Sequence, residues 1–219
     1  MGWIVLGREI QGVIFDLDGV LCSTDEFHYL AWKATADELG VPFDRDSNNR
    51  LRGVSRMESL ELILEGRGGD TSLSLAEKLH IADEKNARYR DSLSSLTPDD
   101  TSIEVVATLN ALRTRGLKLA IGSSSKNTPL ILERLALTPY FDAIADGNMI
   151  QRSKPDPEVF TLAAAKLGLS PMNCLVVEDA VSGAEAAHAG GFLAVCVGDA
   201  ATKQAGDVNL TTLSGIVEL

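Results

Sequence analysis

Apolar residues along the chain fall into short runs separated by longer stretches of helical spacing. Gly12-Val13-Ile14-Phe15, Leu117–Ile121, Cys174–Val177 and Ala194–Val197 are largely apolar, as expected of strands buried on both faces. Glu104–Arg115, Leu130–Ala136, Pro157–Leu167 and Val181–Ala189 follow the helical period between them. Strands alternating with helices imply right-handed crossovers and a parallel sheet covered on both sides. Capping signals mark the helix starts. Thr101-x-x-Glu104 and Ser182-x-x-Glu185 fit the capping box, and Asp156-Pro157 places an N-cap before a first-turn proline.

Residues from about 24 to 96 break this rhythm. Phe27–Leu39, Met57–Leu64 and Leu75–Leu93 are helical in pattern with few β-branched residues, and Ser55-x-x-Glu58 and Ser74-x-x-Glu77 give two further capping boxes. Gly66-Arg67-Gly68-Gly69-Asp70 reads as a loop between helices. The predicted architecture is therefore α/β: a Rossmann-like doubly wound parallel sheet core, residues 1–22 and 97–219, interrupted by an inserted α-helical cap domain, residues 23–96.

Composition narrows the function classes. With 219 residues, 45% hydrophobic and 23% charged, the chain can bury a core large enough to exclude disorder. Its 20 Lys and Arg against 31 Asp and Glu give a net charge of −11, which argues against a nucleic-acid partner. Cys22, Cys174 and Cys196 have neither metal-ligand spacing nor the density of a disulfide framework. No basic segment followed by a long apolar core opens the chain, and no apolar run reaches the roughly 18–20 residues that span a bilayer. A cytoplasmic location without a membrane partner is expected, and the lack of a coiled-coil or apolar edge pattern predicts a monomer.

The chemistry concentrates at strand ends. Asp16-Leu17-Asp18-Gly19 ends the first run with two carboxylates that project to the same side. The carboxyl end of an open parallel sheet is where ligands bind, and like charges this close call for a cation between them. Oxygen ligands in that arrangement suit Mg²⁺. By itself the segment also reads as a turn with capping aspartates. Ile121-Gly122-Ser123-Ser124-Ser125-Lys126-Asn127 follows the second core run, and its hydroxyls, helix-start amides and cation can hold phosphate. Lys154 precedes a rigid helix start, and Val176-Val177-Glu178-Asp179 repeats the apolar-to-acidic pattern of the first strand.

These four elements, in this order and with a helical block after the first, resemble the haloacid dehalogenase superfamily of phosphotransferases. The resemblance implies Asp16 as the nucleophile that becomes an aspartyl-phosphate. It makes Asp18 a general acid/base that also lends its backbone carbonyl to Mg²⁺. Ser123 and Lys154 would bind the transferring phosphoryl group, and Asp179, with Glu178 beside it, would complete the metal shell.

Within the superfamily the resemblance narrows to the β-phosphoglucomutases, from about Gly12 to Gly198. It is carried by Thr24-x-x-x-His28-x-x-x-Trp32-Lys33, by Leu51-Arg52-Gly53-Val54-Ser55-Arg56-x-x-Ser59-Leu60, by Lys85-Asn86, by Ser123–Asn127 and by Asp146-Gly147-Asn148. It implies interconversion of β-glucose 1-phosphate and glucose 6-phosphate, with Mg²⁺ as cofactor and β-glucose 1,6-bisphosphate as intermediate and activator. The phosphate that is not transferred would be held by Arg56 with Ser124, Ser125, Lys126 and Asn127. His28 would contact Asp18 at the hinge beside Thr24. Trp32, Leu51, Arg52, Gly53, Val54, Ser55, Arg56, Ser59 and Lys85 would line the sugar site, although Trp32 and Leu51 fit the interior of the cap equally well. His80, His188 and the cysteines read as non-functional.

Two departures stand out. The family's apolar-Pro-Gly step on re-entering the core is Thr101-Ser102-Ile103-Glu104 here. Val181-Ser182-Gly183 follows the acidic pair where a mutase usually has Gln-Ala-Gly. The competing readings are a Mg²⁺-dependent sugar-phosphate phosphatase with the same aspartyl-phosphate step, and a non-catalytic phosphosugar sensor on the same scaffold.

Overall fold

The structure, a computed structural model, describes residues 2–51, 54–68 and 73–219. It consists of two compact units, Met1–Ser23 with Thr97–Leu219, and Thr24–Leu96.

The first unit is built on a six-stranded parallel sheet. Its strands are β3 (Gly12–Phe15), β4 (Lys118–Gly122), β5 (Ala143–Ala145), β6 (Cys174–Glu178), β7 (Leu193–Cys196) and β8 (Val208–Asn209), in the order β5-β4-β3-β6-β7-β8. An antiparallel hairpin of β1 (Trp3–Val5) and β2 (Arg8–Ile10) precedes them. Its turn residues Leu6 and Gly7 both have positive φ, the backbone of a two-residue hairpin turn. In β3 every residue is buried, and β6 is buried along its whole length. That is why these runs lack a polar alternate. Helices α5 (Ile103–Thr114), α6 (Thr128–Arg134), α7 (Glu158–Leu167), α8 (Val181–Ala189) and α9 (Gly198–Thr202) complete the unit. Helix α7 packs on β3, β4 and β5, while α8 packs on β6 and β7.

The chain winds from β3 outward through β4 to β5, then crosses back to β6 and proceeds the other way. The reversal falls between β3 and β6, the position at which doubly wound sheets open a crevice at their carboxyl edge. Register fixes what meets there. Phe15 stands opposite both Ile121 and Val177, so Asp16, Gly122 and Glu178 emerge at one level.

The second unit is helical: α1 (Asp25–Glu38), α2 (Arg45–Asn49), α3 (Arg56–Leu64) and α4 (Leu75–Leu93). Ala36, Val41, Leu60, Ile63, Leu64 and Ala82 form its core. The capping boxes at Ser55 and Ser74 are complete, serine and glutamate each satisfying the other's backbone N–H.

The two boxes expected in the core do not form. Ser102, not Thr101, caps α5 by accepting from Val105 N, and Glu104 instead accepts from the Ser214 backbone across 110 residues. Ser182 lies inside α8, whose N-cap is Ala180 without a side-chain bond. At α7 the start falls one residue later than expected: Pro157 is the N-cap, and Asp156 Oδ1 accepts from Glu158 N at 3.0 Å. In the expected loop after α3, Glu65–Arg67 forms one 3₁₀ turn that ends at Gly68 with φ 77°; Gly69 and Asp70 lie outside the described residues.

Candidate active site

Strand β3 delivers Asp16 to the sheet edge, and the turn after it closes at once. Asp16 N donates to Val177 O at 2.9 Å, while Leu21 N and Cys22 N both donate to Leu17 O. Gly19, at φ 87°, makes this turn possible, and a side-chain carbon there would overlap the Asp179 carboxylate. Asp18 is half-buried within the turn.

A buried cation joins the two acidic strand ends. Lys154, from the loop before α7, is 3% exposed. Its Nζ donates to Asp16 Oδ1 at 2.5 Å and also to Glu178 Oε1, and lies 4.6 Å from the centroid of the Phe160 ring. Glu178 spends its other oxygen on its own turn, accepting from Asp179 N and Ala180 N at 3.0 Å each. It is also packed against backbone: a side chain at Gly183 would occupy the space of the Glu178 carboxylate. Gly19 and Gly183 thus border the acidic pair, and neither carries atoms that would push it aside.

Two carboxylates share one ammonium, with a third beside Asp16, and the imbalance shows in the titration of Asp16. Burial drives the Asp16 carboxyl well above its ordinary value; Lys154 opposes the shift, and the like charges of Glu178 and Asp179 reinforce it. Burial pulls Lys154 down, but the attraction of Asp16 and Glu178 outweighs it and holds the ammonium charged. Oxygens of Asp16, Glu178 and Asp179 lie within 4.8 Å of one another, a hard-oxygen set that fits a divalent cation such as Mg²⁺.

Strand β4 delivers the hydroxyl-rich loop. Ser123 is 3% exposed and accepts from Ser125 N at 3.2 Å, which leaves its own proton free to be donated. Ser125 Oγ accepts from Asn127 N at 3.2 Å, and Thr128 Oγ1 donates to Ser125 O at 2.9 Å. The amides at 125 and 127 are therefore spent inside the loop, ahead of the first turn of α6. Helix α6 has only seven residues. Among the described residues the buried Ser124 hydroxyl meets no hydrogen-bond partner, which fits a loop built to receive an anion.

In the helical unit, Thr24, His28, Trp32 and Lys85 come together around Tyr89, which sequence reasoning did not single out. Thr24 Oγ1 and Tyr89 Oη are 2.9 Å apart, the His28 and Tyr89 rings lie 4.0 Å apart, and Lys85 Nζ sits 4.7 Å and 4.8 Å from the Trp32 and Tyr89 centroids. Trp32, 2% exposed, belongs to the interior of this unit, and Leu51 packs against the same cluster. Ser55 caps α3, Ser59 donates to Ser55 O, and Val54 is partly buried. Arg56 pairs with Asp83 at 3.2 Å. Arg52 and Gly53 lie outside the described residues. Burial pushes the thiols of Cys174 and Cys196 up to about 12, which makes them inert near neutral pH.

Lys85 Nζ donates to His28 Nδ1 at 3.0 Å, so the imidazole proton sits on Nε2. Burial, then the charges of Lys85 and Arg56, hold His28 well below the usual imidazole range. Above about pH 6.5 the ring is neutral in both folded and unfolded chains, and stability is full. Below it the unfolded chain takes up a proton that the folded chain refuses. Stability is therefore lost as pH falls, by no more than about 1.4 kcal/mol per pH unit. Thermal unfolding of the wild type and His28→Gln between about pH 7.5 and 5.5 measures this, with a shallower slope expected for the variant. Parallel slopes would show that His28 carries no such linkage.

The comparisons with known proteins agree with this geometry. The haloacid dehalogenase-like hydrolase family model matches residues 10–191. A β-phosphoglucomutase of Bacillus subtilis is 42% identical over 212 residues, covering 93% of this chain and 94% of that protein. A phosphorylated carbohydrates phosphatase of Thermotoga maritima is 31% identical, covering 84% and 82%. The crystal structure of a β-phosphoglucomutase from Clostridium difficile superposes with a TM-score of 0.90 at 34% identity, covering 94% of this chain and 93% of that one. A buried Lys154 bridging Asp16 and Glu178 at the switch point of a doubly wound sheet, in a chain matched over most of its length by that family, identifies an enzyme of the haloacid dehalogenase-like hydrolases.

Proposed function

We propose that the enzyme is a phosphomutase that interconverts β-glucose 1-phosphate and glucose 6-phosphate through a phosphorylated Asp16 and a β-glucose 1,6-bisphosphate intermediate. The observation that carries the phosphotransfer is the Lys154 bridge between Asp16 and Glu178. A carboxylate attacking a phosphate dianion meets strong repulsion, and a buried ammonium at the attacking oxygen lowers it without reorganising during the reaction. The choice of a sugar-phosphate mutase is supported by the 42% identity to the Bacillus subtilis protein.

In this reading Asp16 attacks phosphorus, and Lys154 and Ser123 neutralise and orient the transferring phosphoryl oxygens. Asp18 protonates the departing sugar oxygen and then takes a proton from the hydroxyl that attacks phospho-Asp16. Asp16, the Asp18 backbone carbonyl, Glu178 and Asp179 are the residues that would hold Mg²⁺, which when bound neutralises charge on the phosphoryl group. Ser124, Ser125, Lys126 and Asn127 bind the phosphate that is not transferred, together with Arg56, whose planar guanidinium suits bidentate contact. Thr24, His28 and Lys85, with the segment from Leu51 to Ser59, recognise the sugar. Among the described residues no helix is long and apolar enough to cross a membrane, and the reading places the enzyme in the cytoplasm.

The alternative end product is inorganic phosphate, since the Thermotoga maritima relative is a phosphatase by name. The test is a parallel assay of glucose 6-phosphate and phosphate from β-glucose 1-phosphate, with Mg²⁺ and catalytic bisphosphate. Isomerisation far outpacing phosphate release is the expected result, and release without isomerisation would place the enzyme among the phosphatases. Arg56→Ala should lower isomerisation by about 10²-fold, the loss of one charged pair, and phosphate release by much less. Equal losses would remove Arg56 from the distal phosphate.

A further inference from the structure

The Asp146-Gly147-Asn148 turn, which follows β5, has no role in the reading above, yet it grips the phosphate loop residue by residue. Ser123 N donates to Ala145 O at 3.1 Å, where β5 ends. Gly147 N donates to Ser125 O at 3.1 Å, and Asn148 Nδ2 donates to Lys126 O at 3.0 Å. Between these two bonds Gly147 lies flat against the loop. A Cβ there would overlap the Ser124 carbonyl and stand 3.0 Å from Lys126 N. The turn is itself fixed: Asp146 is 1% exposed, and its Oδ1 accepts from Asn148 N at 2.8 Å.

The bonds within the loop fix its curl but do not tie it to the sheet. The Ser125–Ser123, Asn127–Ser125 and Thr128–Ser125 bonds all join residues of the loop and its helix to one another. The Ser123 bond to the end of β5 and the two bonds from the turn hold the loop against the sheet.

We propose that Asp146-Gly147-Asn148 is a positioning element that sets where Ser125, Lys126 and Asn127 meet the phosphate of the substrate, and that Asn148 is its adjustable member. A phosphate site gains affinity when its donors are held in place before the ligand arrives, because ordering them on binding subtracts from the binding free energy. Asparagine suits the position because its amide donates to the Lys126 carbonyl. An aspartate would turn an oxygen towards that carbonyl and bring a negative charge beside the phosphate loop. Asn148 is exposed, so replacing it leaves the core intact. The inference rests on the phosphomutase reading only in assigning Ser125–Asn127 to a substrate phosphate.

Asn148→Ala and Asn148→Asp, in the full chain with Mg²⁺, provide the test. Asn148→Ala should raise KM for β-glucose 1-phosphate about 5- to 10-fold, the loss of one hydrogen bond, and Asn148→Asp should raise it further. In both variants kcat, the Mg²⁺ affinity by calorimetry and the melting temperature should stay near wild type, because the bonds of the turn described above go to the phosphate loop. A KM within about twofold of wild type in both variants would overturn the proposal. So would a parallel fall of KM performance, Mg²⁺ affinity and melting temperature, which marks a merely structural turn. If wild-type protein releases phosphate without isomerising, the mutase reading fails, and KM for hydrolysis of the bisphosphate, whose second phosphate is not transferred, then decides the turn by the same criterion.

Discussion

Replacing Asp16 with Asn is expected to lower kcat by at least about 10⁴-fold while leaving the fold as stable as before, or more so. The loss of activity follows from chemistry: a neutral amide oxygen cannot attack phosphorus to give a stable aspartyl-phosphate. The stability follows from charge. Asp16 is 7% exposed, shares its surroundings with Glu178 and Asp179, and has its carboxyl held well above its ordinary value chiefly by burial. A carboxyl raised in this way is more easily protonated folded than unfolded, so its contribution to stability is present at acid pH and lost as pH rises above the unfolded value. At neutral pH the Asp16 carboxyl therefore works against folding, and an amide relieves that cost while still accepting from Lys154. Two measurements decide it. Wild-type protein treated with acetyl phosphate should gain one phosphoryl group by mass spectrometry, and Asp16→Asn none. The melting temperature of Asp16→Asn should equal or exceed that of wild type, and a phosphorylated Asp16→Asn would assign the nucleophile elsewhere.

Replacing Lys154 with Ala should show the opposite signature in stability and a similar one in activity. Removing one partner of a buried, hydrogen-bonded pair leaves the other charges uncompensated, typically at about 3–5 kcal/mol. Here two carboxylates, Asp16 and Glu178, lose their shared donor, and the Phe160 ring loses its cation. Turnover should fall about 10³-fold, in line with the removal of a cation from a phosphoryl-transfer site. Excess Mg²⁺ should raise the melting temperature of Lys154→Ala more than that of wild type, since the same oxygens are then free to meet a cation, and should not restore turnover. A variant as stable as wild type would mean that the bridge adds nothing to folding.

The meeting of the acidic strand ends was legible because its pattern is local. Asp16 and Asp18 stand two apart at the end of a run too short and too apolar to be anything but a buried strand, and Glu178 and Asp179 repeat the pattern. The Ser55 and Ser74 boxes were legible for the same reason, since serine and glutamate share one helical turn. What failed was non-local. Glu104 answers to Ser214 rather than to Thr101, a bond that no window of sequence contains. The three-residue β5 and two-residue β8 are shorter than any period that could announce them. Glu178 was expected beside Asp179 as a metal ligand, but its bond to Lys154 depends on a chain path 24 residues long. Gly183 and Gly147 stand in the sequence only as members of short motifs, because their own contribution is the absence of atoms in places that only the folded chain defines.

The strand order has a consequence for how the molecule comes into being. Asp16 directly follows the first strand of the sheet to leave the ribosome, yet that strand takes its place between β4 and β6. Gly12 pairs with Lys118 on one side and with Cys174 on the other, so its second neighbour is synthesised last of the pair. Contacts between such distant segments are slow to form, because a long loop must close before they reward the chain. A nascent chain that ends before Cys174 has Asp16 in hand with neither the strand nor the acids that meet it in the folded chain. In the proposed mechanism the activity thus arrives only once β6 has joined the sheet, and a prematurely released fragment carries Asp16 without its partners.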